Sequence, residues 1–454
     1  WDYIDQSIHR VTPEGQDQWL YGGDFGDHPT HRYFCANGIL AADRSEHPAA
    51  REVFWGYRNL VVEAVDPRRG RYRLTNRHSF TNADRFRPRV EVLVDGHVVS
   101  AQHLDPVPLD PWDSVEWDVP AAVPPTDGGD VVVRFSFTTL DDHPAVPAGS
   151  TVAYDEFEVR RDVTPLPYFG PGSPAPVVVT RADSAVVTAG DCLFTVNLAD
   201  GSIESWRVGE RELLANPLRR NYWRALTDND RGFGNFDRFA IDYSWQDPNV
   251  SVQRFTVMPN DRIVRLAFQL RCRHFRNGVL WYDFLPDGSF IAHHAVTPKK
   301  AMIRLGFTLQ LPDVDVVRWY GKGPHENYID RLRGAQTAIH QGSPLELCHD
   351  YMRPQENGNH SQVRWLEAVG SFGRLRVDDV NGARLGFTAW PYTQEALDAA
   401  EHIHDLEHTS AVTVNIDRRQ RGVGGDTPGV ANLLPQYKIP AGEPIEVTAR
   451  FSAD

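Results

Sequence analysis

Three short segments of this 454-residue chain crowd acids, amides and arginines at spacings that could do chemistry. Trp223-Arg224-Ala225-Leu226-Thr227-Asp228-Asn229-Asp230-Arg231-Gly232 sets acids, an amide and two guanidinium groups side by side. Tyr320-Gly321-Lys322-Gly323-Pro324-His325-Glu326-Asn327-Tyr328 ends a strand-like run in a sharp turn. Tyr351-Met352-Arg353-Pro354-Gln355-Glu356-Asn357-Gly358-Asn359-His360 repeats its Glu-Asn pair in a second polar turn. Taken singly, each is a surface loop closed by Asx-type turns. Near the start, Gly22-Gly23-Asp24-Phe25-Gly26-Asp27 and Phe34-Cys35-Ala36-Asn37-Gly38 are dense in glycine, acids and aromatics. Loops of that kind sit at the mouths of barrels, where side chains converge on a ligand. The run Trp1-Asp2-Tyr3-Ile4-Asp5-Gln6-Ser7 reads as the end of a strand cut from a larger protein.

The elements that must position these groups are mostly strands. Val90 to Val94, the turn pair Asp95-Gly96 and His97 to Val99 form a hairpin pattern. Val131 to Phe137 alternates apolar and polar residues, as a half-buried strand does. The spacing predicts an immunoglobulin-like sandwich over 58–163. Five prolines and two glycines between 164 and 176 make a linker. Strand patterns then run through 177–454, which predicts a large two-sheet sandwich interrupted by one helix from Gln394 to Leu406, with Thr393 as its cap. Residues 1–57 carry one short helix from Pro48 to Trp55, and residues 1–50 have too few neighbours in this reading to stay ordered.

Composition narrows the function. A net charge of −14 argues against nucleic-acid binding, which needs a concentrated basic face. No apolar run approaches the roughly 18 residues that span a bilayer, so no membrane partner is expected. Four scattered cysteines, Cys35, Cys192, Cys272 and Cys348, have no metal-type spacing and suit free thiols in the cytoplasm. Twelve Trp, 15 Tyr and 22 Phe suit either a sugar-binding surface or an aromatic all-β core.

Five of these segments in this order (Gly22 to Asp27, Phe34 to Gly38, Trp223 to Gly232, Gly321 to Asn327, Pro354 to Gly358) make the chain resemble the C-terminal part of the long β-galactosidases of glycoside hydrolase family 2. The resemblance runs from Trp1 to the strand near Phe451. It implies a mainly β fold: the remnant of an α/β (TIM) barrel, an immunoglobulin-like β-sandwich, then a large galactose-mutarotase-like β super-sandwich. It further implies that the intact protein hydrolyses terminal non-reducing β-D-galactose with retention. The two catalytic glutamates are then expected on barrel strands before Trp1, in a missing N-terminal half, so this chain alone should be inactive. Glu326 and Glu356 are the tempting substitutes, but their neighbours look built to shape turns.

What the resemblance carries over is a substrate-binding wall. Trp1 matches a tryptophan on the floor of the sugar pocket. Asn37 matches an asparagine that holds a sodium ion through its amide oxygen, and Phe34 matches a residue giving its backbone carbonyl to the same ion. A magnesium ion is expected in the intact enzyme, with its principal ligands outside this chain. Thr30 stands where some relatives have an asparagine near an accessory magnesium. A loop tryptophan expected after Gly424-Gly425-Asp426 is replaced by Thr427-Pro428-Gly429, leaving Phe233 as a candidate to fill its space. The implied partners are a galactoside and further copies of the same protein in a homo-oligomer. The competing readings are a non-catalytic carbohydrate-binding or mutarotase-like β-sandwich and a separately encoded small subunit.

Overall fold

The computed structural model describes residues 2–125, 128–163, 165, 169–170, 173–231, 241–260, 262–424 and 433–454. Trp1, Phe233 and the Gly425 to Gly429 stretch, all singled out in the sequence, lie outside the described residues.

Residues 60–160 form a sandwich of a three-stranded and a four-stranded antiparallel sheet. The hairpin pattern at Asp95-Gly96 joins strands Phe86–Val94 and His97–His103. Both turn residues have positive φ, 50° and 83°, the conformation that matches the twist of the flanking strands. In Val131–Thr139 the side chains alternate between buried and partly exposed after an opening apolar run, and the buried set joins Tyr72, Leu74 and Val90 in one core.

From Val177 the chain builds two stacked sheets, of ten and nine strands among the described residues. Their facing apolar side chains, including Phe194, Trp206, Phe284, Phe290, Phe307 and Phe451, share a single large core. Sequence order is not spatial order. Strand Ile445–Ala453 lies inside the nine-stranded sheet, paired with Phe290–Pro298 on one side and Gly373–Asp379 on the other.

The helix expected over Gln394 to Leu406 is shorter. Thr393 caps it, its hydroxyl accepting the Ala396 N–H at 3.0 Å, but the α-helix stops at Ala399. The Asp405 carboxylate accepts the backbone N–H groups of Glu401 and His402 at 3.2 and 2.9 Å and starts a separate turn, Ile403–Asp405. Side-chain acceptors compete with helix propagation in this way. Among the described residues no helix is long and apolar enough to cross a membrane.

Residues 2–50 are not loose. Strands Ile8–Val11 and Asp17–Leu20 pair, Ile4 bridges Leu40, and helix Pro48–Gly56 packs against the middle sandwich, where Arg58 forms an ion pair with Asp155 at 2.8 Å. The expectation of disorder failed because the partners lie hundreds of residues away in sequence: Tyr21 Oη donates to Glu401 O, and His349 meets His47 at 2.8 Å.

A charged seam joins the two sandwiches. Glu156 accepts from Lys322 Nζ at 2.8 Å, Arg134 Nη2 at 3.1 Å, and the Thr337 N–H and hydroxyl at 2.9 and 2.6 Å. Asp130 receives Tyr320 Oη at 2.6 Å, Arg364 Nε at 2.9 Å and Arg384 Nη2 at 2.6 Å. Burial pushes the Glu156 carboxyl up, but Lys322 and Arg134 outweigh it and hold the group at about 2. Glu156→Ala removes the carboxylate partner of Lys322, leaves Arg134 with Glu91 alone as its acid, and should cost about 3–5 kcal/mol, as removing one member of a buried pair does. Urea midpoints at neutral pH check this, and a loss under about 1 kcal/mol would class the seam with ordinary surface pairs.

Candidate functional site

Two layers make the site: a buried polar floor in the terminal domain, and the Gly22 to Gly38 loop docked above it. The floor is centred on Arg304, in strand Arg304–Leu311, whose side chain is fully buried. Its guanidinium meets Glu356 Oε1 at 2.8 Å and Asp417 Oδ2 at 3.2 Å, and donates to Trp223 O and Gln394 Oε1, both at 3.1 Å. Arg224 grips Asp230 through two bonds of 2.9 Å and donates to the carbonyls of Arg421 and Gly422 at 2.6 and 3.0 Å. Asp228 exchanges bonds with Gln355, donating its backbone N–H at 2.9 Å and accepting Nε2 at 2.8 Å. The first and third sequence motifs are thereby stitched together.

The two Glu-Asn turns interlock. Glu326 pairs with Arg331 and Tyr351 and accepts the Gly358 N–H at 2.6 Å. Asn327 N–H donates to Asn359 O at 2.7 Å, while Asn359 Nδ2 donates to Asn327 O at 2.7 Å. Gly358 has φ +68°, and a Cβ there would lie 2.7 Å from Leu347 O, so the turn needs glycine. Glu326 and Glu356 are 3% and 1% exposed. Held in bonds beneath the surface, neither presents a carboxylate to a solute.

Burial raises both carboxyls around Arg304, with the guanidinium opposing: Glu356 upward, and Asp417 to about 7. Glu356 Oε2 and Asp417 Oδ1 have no hydrogen-bond partner among the described residues, which leaves their desolvation uncompensated.

The loop above is fixed at both ends. Asp5 Oδ1 accepts the Gly38 N–H at 2.7 Å, and Asp5 Oδ2 receives His47 Nε2 at 2.7 Å. Only glycine fits at 38, since a Cβ would lie 2.4 Å from Asp5 N. Tyr21 and Arg32 both bond Glu401, Asp24 bonds His402 at 2.8 Å, and the Arg353 guanidinium lies 5.1 Å from the centre of the Tyr33 ring. The terminal domain supplies Glu401, His402 and Arg353, while Asp5 and His47 hold the Gly38 end.

Phe34 and Asn37 lie side by side in the loop. Asn37 Nδ2 donates to Phe34 O at 2.8 Å and lies 3.4 Å from an Asp2 carboxylate oxygen, and both Phe34 and Asn37 are exposed. A half-turn of the amide presents Oδ1 beside the Phe34 carbonyl. Two neutral oxygens with a carboxylate nearby are a donor set that fits a hard cation such as sodium. Phe34 O and Asn37 Oδ1 would hold such an ion. Thr30 is used within the loop, its hydroxyl accepting the Arg32 N–H at 3.1 Å.

Sequence reasoning passed over Arg304, Asp417 and the Asp5–His47–His349 chain. For Arg304 a signal existed, a lone charge inside the apolar run Met302-Ile303-Arg304-Leu305-Gly306-Phe307. His47 and His349 are single residues 302 positions apart and gave none.

Three family models match the chain in succession. Residues 188–451 match the model of the beta galactosidase small chain, residues 72–160 that of beta-galactosidase domain 4, and residues 1–61 that of the glycosyl hydrolases family 2 TIM barrel domain. A beta-galactosidase of Priestia megaterium is 31% identical over 450 residues, covering 97% of this chain and 43% of that protein. One from Lactobacillus delbrueckii subsp. bulgaricus is 32% identical over 448 residues, with coverage of 97% and 43%. The chain thus spans less than half the length of these curated relatives. A galactose mutarotase related enzyme from Lactobacillus acidophilus aligns with 62% of this chain and 97% of its own, at TM-score 0.31 and 9% identity.

The raised Asp417 carboxyl has a consequence for stability. A group with a higher pKa folded than unfolded stabilises the fold below its unfolded value, 3.8, and that contribution is lost as pH rises to about 7. Asp417→Asn removes this titration, so the drop in urea midpoint between about pH 5 and about pH 8 should be smaller in the variant than in the parent. Equal drops would place the Asp417 midpoint outside that window.

Proposed function

Because the chain belongs to the beta galactosidase small chain family, whose model covers residues 188–451, we propose that it is the C-terminal portion of a β-galactosidase that hydrolyses terminal non-reducing β-D-galactose residues with retention. The observation that carries the proposal is the succession of barrel, domain 4 and small-chain matches along one chain. The role proposed for this portion is to furnish part of the galactose-binding wall, with Trp1, Phe34 and Asn37 as the contributing residues. Sodium held by Phe34 O and Asn37 would orient a galactose hydroxyl, and the magnesium ion would be held by residues outside this chain. The catalytic carboxylates are likewise proposed to come from outside it, with the rest of the barrel, and the intact protein to be a homo-oligomer.

The burial of Glu326 and Glu356 supports this division of labour, because retaining hydrolysis needs two carboxyl groups about 5–5.5 Å apart across a substrate. The docked Gly22 to Gly38 loop supports the wall, since its anchors hold the backbone that presents Phe34 and Asn37.

The purified chain alone should not turn over a nitrophenyl β-galactoside; robust turnover without host enzyme would overturn the division. In the full-length enzyme, Asn37→Ala should weaken both galactoside affinity and the response to sodium. Kinetics across a sodium titration read this directly, and a variant that responds to sodium as the parent does would remove Phe34 and Asn37 from the cation role.

A further inference from the structure

The segment after helix Gln394–Ala399 carries His402-Ile403-His404-Asp405, and the fold gathers the side chains of His402, His404 and Asp405 at a single turn. One ligand atom from each of His402, His404 and Asp405 lies within 4.8 Å of the others. His402 Nδ1 is 3.6 Å from Asp405 Oδ2, and His404 Nε2 is 3.9 Å from Asp405 Oδ1. Ligands around a tetrahedral zinc with bonds of about 2.0–2.2 Å stand about 3.4 Å apart. The two contacts end on different oxygens of the Asp405 carboxylate, and each lies within about half an ångström of that spacing.

The orientation of His402 is prepared from across the interface. Its Nε2 faces Asp24 Oδ2 at 2.8 Å, and that same oxygen accepts the Tyr21 N–H at 2.8 Å. A carboxylate on one ring nitrogen places the proton there and leaves the lone pair on the other, Nδ1, which is turned toward Asp405, where it faces the Asp405 backbone N–H that an ion would displace. The Tyr21 ring lies flat on His402, with centroids 4.6 Å apart and planes 11° from parallel, and so fixes the imidazole plane. Asp405 is held by the backbone N–H groups of Glu401 and His402. The side chains of His402, His404 and Asp405 are 14%, 20% and 44% exposed, so an ion can enter from solvent and keep a water as its remaining ligand.

We infer that His402, His404 and Asp405 form a binding site for a divalent transition ion of the zinc class, with Asp24 as the carboxylate that orients His402. Two imidazoles and one carboxylate select zinc, cobalt or nickel over magnesium and calcium, which take all-oxygen shells. Because Asp24 belongs to the Gly22 to Gly38 loop and the three ligands to the terminal domain, a bound ion tightens the clamp between them.

The test uses the whole chain, stripped with a chelator and titrated with zinc chloride by calorimetry. His404→Ala removes a ligand that forms no bond to Asp24 and should weaken the strongest site by about 100-fold or more, while Asp24→Asn should weaken it by about 10–100-fold. Parent and His404→Ala titrating alike would overturn the site. A second readout needs no substitution: zinc should protect His402 and His404 from carbethoxylation by diethylpyrocarbonate, read by peptide mass spectrometry, whereas magnesium should not. Equal labelling with and without zinc would also overturn it.

Discussion

A single guanidinium sets the terms for the terminal domain. Arg304 is fully buried, and a charge taken from water costs several kcal/mol unless hydrogen bonds replace its hydration. Its partners therefore cannot wander. Glu356 comes from the second Glu-Asn turn, Asp417 from the neighbouring strand, Gln394 from the first turn of the capped helix and Trp223 from the chain leading into the acidic loop. Arg224 repeats the device one step away, closing the loop at Asp230 onto the backbone of Arg421 and Gly422. Three motifs far apart in sequence thus share one polar floor, and the floor fixes the height of whatever docks above it.

The docked loop illustrates how little of a binding wall needs its own secondary structure. Between Tyr21 and Gly38 there is no helix or strand, yet both ends and the middle are tied. Exposed pairs such as Arg32–Glu401 contribute little singly. The tightly held contacts are the protected ones: Asp5 between Gly38 and His47, with side chains of Asp5 and His47 only 3% and 7% exposed, and His47 against His349 of the terminal domain. The proposed wall is thereby built at a junction, where the shape of one domain is set by the surface of another.

Features governed by neighbours in sequence were legible before the structure. The Asp95-Gly96 turn, the alternating strand Val131–Thr139 and the cap at Thr393 each depend on a few adjacent residues, and each is found in place. The helix after Thr393 was read too long because nothing local announces that Asp405 will take backbone N–H groups at 401 and 402. Order in residues 2–50 was missed for the same reason on a larger scale, since His47 and Tyr21 find partners at His349 and Glu401. Phe34 and Asn37 were identified through resemblance; their side-chain types alone, an aromatic and an amide in a glycine-rich loop, name no ligand. The Glu-Asn turns were visible as motifs, but only the fold reveals that they bond to each other.

The place of strand Ile445–Ala453 inside the nine-stranded sheet governs when the domain can exist at all. Its two neighbours, Phe290–Pro298 and Gly373–Asp379, cannot be bridged until residues 445–453 leave the ribosome. The middle sandwich, closed by residue 160, can form long before that. During synthesis the growing chain must carry two incomplete faces of one sheet, with open edges and uncovered apolar residues, until strand Ile445–Ala453 arrives to zip them together.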